Sequence, residues 1–224
     1  MDSDIYFQHP WLRESNPDRS LLKGRAYLVA KRLMDLLIVA SASPLLLPLL
    51  GLGALLVKLE SPRDPVFFGQ LRTGKGGKRF VMYKFRTMVV NAQELKKELA
   101  HLNEAPWPDF FITNDPRVTR VGRFLRKTSL DELPQLLNIL MGDMSLVGPR
   151  PTSWGAETYA TWQLKRLEAQ PGITGLAQLL GRKGNQFNER VRLDLIYIER
   201  RCLWLDIQIL LRTIPAVIQA RGAH

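Results

Sequence analysis

Residues 36–57 read LLIVASASPLLLPLLGLGALLV, 22 residues without a charge. At a helical rise of about 1.5 Å per residue the stretch would reach roughly 33 Å, enough to cross a hydrocarbon core of about 30 Å. Two prolines, Pro44 and Pro48, sit near its middle, with Ser41 and Ser43 just ahead of the first. Whether this segment crosses a membrane or enters and turns back decides where the rest of the chain works.

The flanks argue for a return. Lys23, Arg25, Lys31 and Arg32 precede the apolar run, and Lys58, Arg63, Arg72, Lys75, Lys78 and Arg79 follow it. Positive residues stay cytoplasmic, so a single crossing cannot satisfy both ends, whereas a helix–break–helix hairpin can. Pro44 lacks an N–H, its ring obstructs the carbonyl four residues earlier, and it pushes Ser43 away from helical dihedrals. The hydroxyls of Ser41 and Ser43 are available to the freed carbonyls, which matters where water is absent. A kinked spanning helix is the alternative. Asp35, at the cytoplasmic edge, is expected to pair with Lys31 or Arg32 one turn away.

Lys and Arg number 32 against 21 Asp and Glu in 224 residues, a formal charge of +11. That excess suits a polyanionic partner: anionic lipid, phosphorylated substrates or nucleic acid. None of the familiar nucleic-acid modules is present, so nucleic acid is set aside. A basic soluble surface is the bland alternative, and the apolar run weighs against it. Cys202 is the only cysteine, which excludes disulfides within the chain, and His9, His101 and His224 have no zinc-ligand spacing. The apolar run begins too far in and is too long for a cleavable signal peptide.

Three regions follow: a polar arm over 1–24, a re-entrant membrane helix over 25–60 broken at Ser43–Pro44, and a catalytic domain over 61–224. PVFFGQLRTGKGGKRFVMYKFR (65–86) reads as two β-rich runs around a Gly-rich turn. GQLRTGKG (69–76) imitates a phosphate-binding loop, but Gly76 stands where Ser or Thr would hold magnesium, and a strand follows. Met88, Ala92, Leu95, Leu99 and Leu102 predict an amphipathic helix over 88–103, ahead of a Pro- and aromatic-rich loop at 105–120. Helical patterns return at 129–141, 153–169, 187–201 and 203–220. The last is too charged at Asp206 and Arg212 to span, but its apolar side suits an interface or a core. The expected fold is α+β, mostly α-helical with one β-hairpin, a re-entrant membrane helix and amphipathic interfacial helices.

The strongest chemistry lies in KTSLDELPQLLNILMGDMSLVGPRP (127–151). Asp131 and Glu132 adjoin each other at an expected helix start. Ser129-x-x-Glu132 has the form of a capping box, which would make the acids structural. The competing reading makes one carboxylate a nucleophile or magnesium ligand and the other its assistant. Arg117, Arg120, Arg123, Arg126 and Lys127 lie ahead, and Arg150 lies behind, stiffened between Pro149 and Pro151. Such an Arg is either a phosphate clamp or a solvated turn residue. Lys84 and Arg86, two apart on a strand, share a face and form either a second clamp or surface charge. Cations around two carboxylates beside a membrane hairpin suggest phosphoryl transfer involving a lipid.

KRLMD (31–35), the Ser-Pro pair at 43–44, PVFFGQLRTG (65–74), YKFRTM (83–88), DPRVTRVGRFLRKTSLDELPQLLNILMGDMSLVGPRP (115–151) and PGITGLAQ (171–178) together resemble the bacterial sugar transferase family, the monotopic phosphoglycosyl transferases acting on polyprenol phosphate. The resemblance implies transfer of a sugar-1-phosphate from a UDP-sugar donor to undecaprenyl phosphate with release of UMP, the first membrane step of glycoconjugate or exopolysaccharide synthesis. It implies Asp131 as the nucleophile, through a covalent aspartyl-phosphosugar intermediate, with Glu132 assisting. Magnesium, or manganese in its place, would meet Asp131 and neutralise the diphosphate. Arg150, Lys84, Arg86, Arg120 and Gln178 are the implied substrate and phosphate contacts, and Ser43–Pro44 the membrane break. The implied location is the bacterial inner membrane, with the catalytic domain and both termini cytoplasmic and the chain a minimal catalytic form. Homo-oligomerisation is left open.

Two stretches depart from the family pattern: Arg201-Cys202 stands where Trp-Ser is expected, and LLGRKG (179–184) differs from the usual run. The rival function is a non-enzymatic basic scaffold at the membrane surface.

Overall fold

The computed structural model describes residues 5, 8–14, 21–104, 110–181 and 186–218. Most of the expected arm over 1–24, residues 105–109 of the expected loop and residues 182–184 of the second departure lie outside these residues. A short helix, α1 (Trp11–Glu14), precedes the long helix α2 (Gly24–Glu60).

α2 is one continuous helix of 37 residues that includes both prolines. The helix–break–helix expected at Ser43–Pro44 is therefore corrected at the level of secondary structure. The reason is local: Pro44 frees the Ala40 carbonyl, and Ser43 Oγ donates to that carbonyl at 2.7 Å. Ser41 Oγ likewise donates to Ile38 O at 3.0 Å.

Both ends of α2 pack on the same body. Towards the N-terminal end, Lys31 Nζ lies 3.0 Å from Asp206 Oδ2, and the Tyr27 hydroxyl donates to that oxygen at 2.9 Å. Asp35 Oδ2 accepts from Ser145 Oγ at 2.6 Å, while Arg32 donates to the carbonyls of Ile139 and Leu140. The expected local pairing of Asp35 is thus replaced by long-range partners: Lys31 answers the buried Asp206, and Arg32 caps a helix C-terminus, where cations are favoured. Towards the other end, a Cβ on Gly53 would come within 2.8 Å of the Phe85 ring, so only glycine lets the helix approach this closely. Val57 is buried with Phe85 and Leu125, and Glu60 Oε1 accepts from Val121 N at 3.1 Å. Between these anchors Leu45, Leu47, Leu52 and Leu55 are exposed.

The expected hairpin forms. β1 (Phe67–Thr73) and β2 (Arg79–Phe85) pair antiparallel, with Phe68 opposite Lys84. The turn at Lys75–Gly77 needs φ of +63° and +80° at Gly76 and Gly77, a left-handed backbone that glycine adopts without cost. A strand follows the turn, as the rejection of the phosphate-loop reading requires.

The helix expected over 88–103 is shorter, α3 (Ala92–Glu98) with a 3-10 continuation to Leu102, because Met88 bridges Val118 instead. α4 (Arg120–Lys127) was not anticipated. The pattern at 129–141 divides into a 3-10 turn at Leu130–Glu132 and α5 (Gln135–Met141). The pattern at 153–169 is carried by two 3-10 segments, Ala156–Thr158 and Thr161–Glu168. Beside the hairpin stands a second small sheet that was not expected: β3 (Ser145–Val147) and β4 (Gly172–Thr174) pair in parallel. Their flanking backbones touch, since a Cβ on Gly172 would meet Gly148 N at 2.1 Å. α6 (Leu176–Leu180), α7 (Phe187–Arg200) and α8 (Leu203–Ile218) complete the described residues, the last two matching the predicted helices, with 219–220 of the second outside these residues. α8 takes the core role offered for it, with Leu205 and Ile209 fully buried, while Trp204, Leu211 and Ile214 are exposed.

Candidate active site

β2 places the first cation. Phe80 and Met82 point into the core beneath α2, and Lys84 follows them on the same face of the strand. β1 covers one edge of β2; Asn138 of α5 covers the other. Its side chain donates to Val81 O at 2.7 Å and accepts from Tyr83 N at 3.0 Å, so a fully buried amide satisfies two strand-edge groups. This clamps α5, and with it the turn just ahead, against β2.

That turn carries the acidic pair. Ser129 takes φ +57°, a left-handed conformation uncommon outside Gly, Asn and Asp, and it reverses the chain out of α4. The Ser129 side chain makes no capping hydrogen bond. The capping-box reading fails because Glu132 turns away from the backbone. Lys84 Nζ donates to Glu132 Oε1 at 2.6 Å, and Arg150 Nη2 reaches the same oxygen at 2.6 Å.

The two carboxylates therefore sit in different states. Burial opposes ionisation of Glu132, but the adjoining Arg150 and Lys84 charges outweigh it and hold the group well below the usual carboxylate range. Asp131 accepts no hydrogen bond among the described residues, and its nearest cation, Lys84, is 3.9 Å away. Burial raises its pKa despite Lys84 and the more distant Arg126 and Arg150. One carboxylate is locked as a counterion; its neighbour keeps free lone pairs.

Arg150 is set by a pinned backbone. Each carbonyl of Pro149-Arg150-Pro151 has a donor: Gly172 N at 3.0 Å, Arg166 Nη2 at 2.9 Å and Arg72 Nη1 at 3.2 Å, in that order. Arg166 is in turn held by Asp194 Oδ2 at 2.6 Å and lies over the Phe187 and Tyr159 rings. The Arg150 side chain remains 45% exposed, so one side of its guanidinium is open to a ligand. Arg72 keeps its Nε buried without a partner, and burial next to Arg150 pushes its pKa down to about 10.

Of the residues singled out in the sequence, Asp131, Glu132, Lys84 and Arg150 come together. Arg86 does not join them: its Nε donates to Pro65 O at 2.8 Å and its head lies 5.9 Å from the Phe68 ring centre. Arg120 is exposed on the first turn of α4, with no hydrogen bond or ion pair to the acids among the described residues. Gln178 lies on α6, its Nε2 facing Ile173 O at 3.4 Å and its Oε1 buried and unpartnered. Of the Arg201-Cys202 departure, Cys202 is packed in the core with Leu205 and Tyr197, while Arg201 is half-buried and its Nη1 lies 3.5 Å from Glu168 O. Sequence reasoning missed Asn138, Arg166 and Asp194, and it took Arg72 only as a flanking charge. Non-local pairing assigns these roles, and local spacing carries no mark of it.

A magnesium ion fits here only in a particular way. No cluster of three His, Cys, Asp or Glu side chains exists among the described residues. Glu132 is taken by two cations, which leaves Asp131 as the free oxygen donor. Magnesium tolerates such sparse ligation, keeping waters and drawing further oxygens from substrate phosphates.

A family model described as bacterial sugar transferase matches residues 26–220. The chain is 44% identical over 212 residues to an undecaprenyl-phosphate galactose phosphotransferase of Salmonella typhimurium, covering 91% of this chain and 43% of that protein. It is 42% identical over 203 residues to a UDP-glucose:undecaprenyl-phosphate glucose-1-phosphate transferase of Caulobacter vibrioides, covering 87% and 72%. The exopolysaccharide production protein ExoY of Rhizobium meliloti is 42% identical over 201 residues, 88% of each chain. The chain spans somewhat less than half the length of several such relatives, including the Salmonella protein.

Proposed function

The chain belongs to the bacterial sugar transferase family, and on that premise we propose that it moves a sugar-1-phosphate from a UDP-sugar to undecaprenyl phosphate and releases UMP. The observation that carries this reading is the division of labour in the acidic pair: Glu132 is immobilised by Lys84 and Arg150, while Asp131 is buried and free of hydrogen bonds.

In the first step a carboxylate oxygen of Asp131 attacks the sugar-bearing phosphorus, and the bond to the UMP oxygen breaks. UMP leaves, and an aspartyl-phosphosugar remains. In the second step an oxygen of undecaprenyl phosphate attacks the same phosphorus and releases the Asp131 carboxylate. Two steps let a water-soluble donor depart before a lipid acceptor enters. An anion attacking an anionic diphosphate needs its repulsion screened. Lys84, Arg150 and Arg126 bring more positive charge to this site than Asp131 and Glu132 offset. Magnesium held by Asp131, water and the diphosphate would add Lewis-acid neutralisation of the phosphate oxygens.

The membrane reading is monotopic. A helix held at both ends on one body cannot deliver those ends to opposite faces of a bilayer while that body stays on one face. Lys31 and Arg32 at one end of α2 and Val57 and Glu60 at the other are held in this way. α2 then lies in the cytoplasmic leaflet with both of its ends on one face, and Ser43–Pro44 sits midway, where missing ladder donors make bending cheapest. The exposed apolar residues of α5 and α8 lie in the interface. The relatives' names carry galactose and glucose at nearly equal identity, so identity alone does not fix the sugar.

The test is UMP release from a panel of UDP-sugars with undecaprenyl phosphate and magnesium. Turnover with one donor, abolished in Asp131→Asn, supports the reading. An active Asp131→Asn overturns the nucleophile, and no turnover with any donor favours the scaffold.

A further inference from the structure

We propose that residues 8–14 act as a clasp: they dock across α7 and α8, and through those helices they set both the turn that carries Arg150 and the anchor of α2. The link to catalysis rests on the function proposed above; the docking itself does not. This stretch precedes residues 26–220, over which the chain matches its family, so the family's shared chemistry does not account for it.

The arm that reads as polar sends one leucine into the core. Leu12 is fully buried, in one cluster with Val147 of β3, Tyr197 of α7, and Leu205 and Ile209 of α8. Ile5 and Trp11 pack against the same cluster. Two arginines fasten this stretch, one from each helix. Arg200, the last residue of α7, donates from Nη1 to Leu12 O at 3.3 Å. Arg212 of α8 places its guanidinium over the Trp11 ring, 4.3 Å from the centroid, a cation–π contact. One short segment thus ties two helices. Its own backbone bonds are local, Leu12 N to His9 O at 3.0 Å and His9 N to Ile5 O at 2.9 Å. Contacts of this kind release without opening a helix or a strand ladder, which separates a clasp from a core element.

Named bonds lead from the clasp to the site. The hydroxyl of Tyr197, in the Leu12 cluster, donates to Asp206 Oδ1 at 2.7 Å and lies 3.2 Å from Val147 O. Val147 ends β3, and the chain then enters the Pro149–Pro151 turn that carries Arg150. The other carboxylate oxygen of Asp206 takes Lys31 Nζ and the Tyr27 hydroxyl of α2. With the clasp docked, α7 and α8 hold β3 on one side and the membrane helix on the other. With it released, the Tyr197 hub loses the packing that keeps both in place.

The experiment uses the full chain in lipid nanodiscs. Leu12→Asp opens the clasp, because a carboxylate at a fully buried apolar position has no partner. Backbone amides of 145–150 and 203–210 are expected to exchange faster with solvent, and the KM for the UDP-sugar donor to rise about tenfold, the ordinary scale of coupling between sites. A peptide of residues 1–14 added in trans should dock on the vacated seat and reverse both effects, whereas the same peptide carrying Leu12→Asp should reverse neither. Rescue also shows that the variant is folded. Unchanged exchange and unchanged KM in Leu12→Asp overturn the clasp, and so does a loss that the wild-type peptide fails to reverse, which would make Leu12 a filler of the core. Failure of wild type to release UMP from any donor sinks the transferase reading instead, while the exchange measurement still decides the docking.

Discussion

Arg166 donates from Nη2 to the backbone carbonyl of Arg150 at 2.9 Å, so one guanidinium fixes the chain from which another reaches the acidic pair. Asp194, buried on α7, balances Arg166 at 2.6 Å, and the side chains are only 5% and 2% exposed. The orientation of Arg150 thus depends on a pair that has no contact with the carboxylates.

Asp194→Asn should therefore act on both stability and rate. Removing one partner of a buried pair leaves the other charge uncompensated, at a cost of about 3–5 kcal/mol. For a domain of this size that is a fall in Tm of about 10 °C. UMP release should fall as well, mainly through a raised KM for the donor. Wild-type Tm in calorimetry would show that the pair carries no structural weight.

The two carboxylates should separate kinetically. Asp131→Asn is expected to lower UMP release by about 10⁴-fold or more, the scale of losing a nucleophile. Glu132→Gln keeps a nucleophile but frees Lys84 and Arg150, and should retain measurable turnover at roughly 10²-fold below wild type. Steady-state assays at saturating donor decide it; equal losses would mean the two acids act as one unit.

Their effects on stability should have opposite signs with pH. The folded pKa of Glu132 is depressed, so its stabilisation is present above the unfolded value near 4.5 and is lost as pH falls. The folded pKa of Asp131 is raised, so its cost to stability grows as pH rises past the unfolded value near 3.8 and is complete above the folded value. At pH 7.5 Asp131→Asn should match or exceed wild-type Tm, an advantage that shrinks towards pH 4, while Glu132→Gln should be less stable. Thermal melts from pH 4 to 8 read both; a destabilised Asp131→Asn at pH 7.5 would contradict the assignment.

Asn138→Leu should uncouple the acidic turn from the hairpin. It strands Val81 O and Tyr83 N at the edge of β2, each at about 1–3 kcal/mol. Denaturant midpoints should fall accordingly, and the Tyr83 amide should exchange faster with solvent. An unchanged Tyr83 exchange rate would show that the clamp is dispensable.

Monotopic insertion predicts that both flanks of α2 face the cytoplasm. Lys23→Cys and Lys75→Cys should resist a membrane-impermeant maleimide in intact cells and react after lysis; native Cys202 is buried and should stay silent. Labelling of one site in intact cells would establish a crossing.

Much of this was legible along the chain because the signals were local. Hydropathy marked α2, β-rich runs around glycines marked the hairpin, and adjacent acids marked the site. The failures were also local readings: Ser129-x-x-Glu132 had the spacing of a cap, but two cations at 2.6 Å compete better for Glu132 than a backbone N–H does. Lys84 and Arg86 were equivalent by strand alternation, but the strand ends at Phe85 and Arg86 turns to Pro65. β3 and β4 are three residues each and lie 24 residues apart in sequence, too short to announce themselves.

By itself the sequence determined the apolar helix with cations at both ends, the hairpin and the Asp131–Glu132 pair, because periodicity, charge and adjacency are properties of neighbouring residues. Only the tertiary structure decided which acid stays free. That choice depends on where Lys84 and Arg150 point, and those directions are set by Asn138 on the edge of β2 and Arg166 beneath the Pro149–Pro151 turn. A pKa depends on charges and burial assembled in space, so two adjacent carboxylates that look alike in the chain take opposite shifts in the fold.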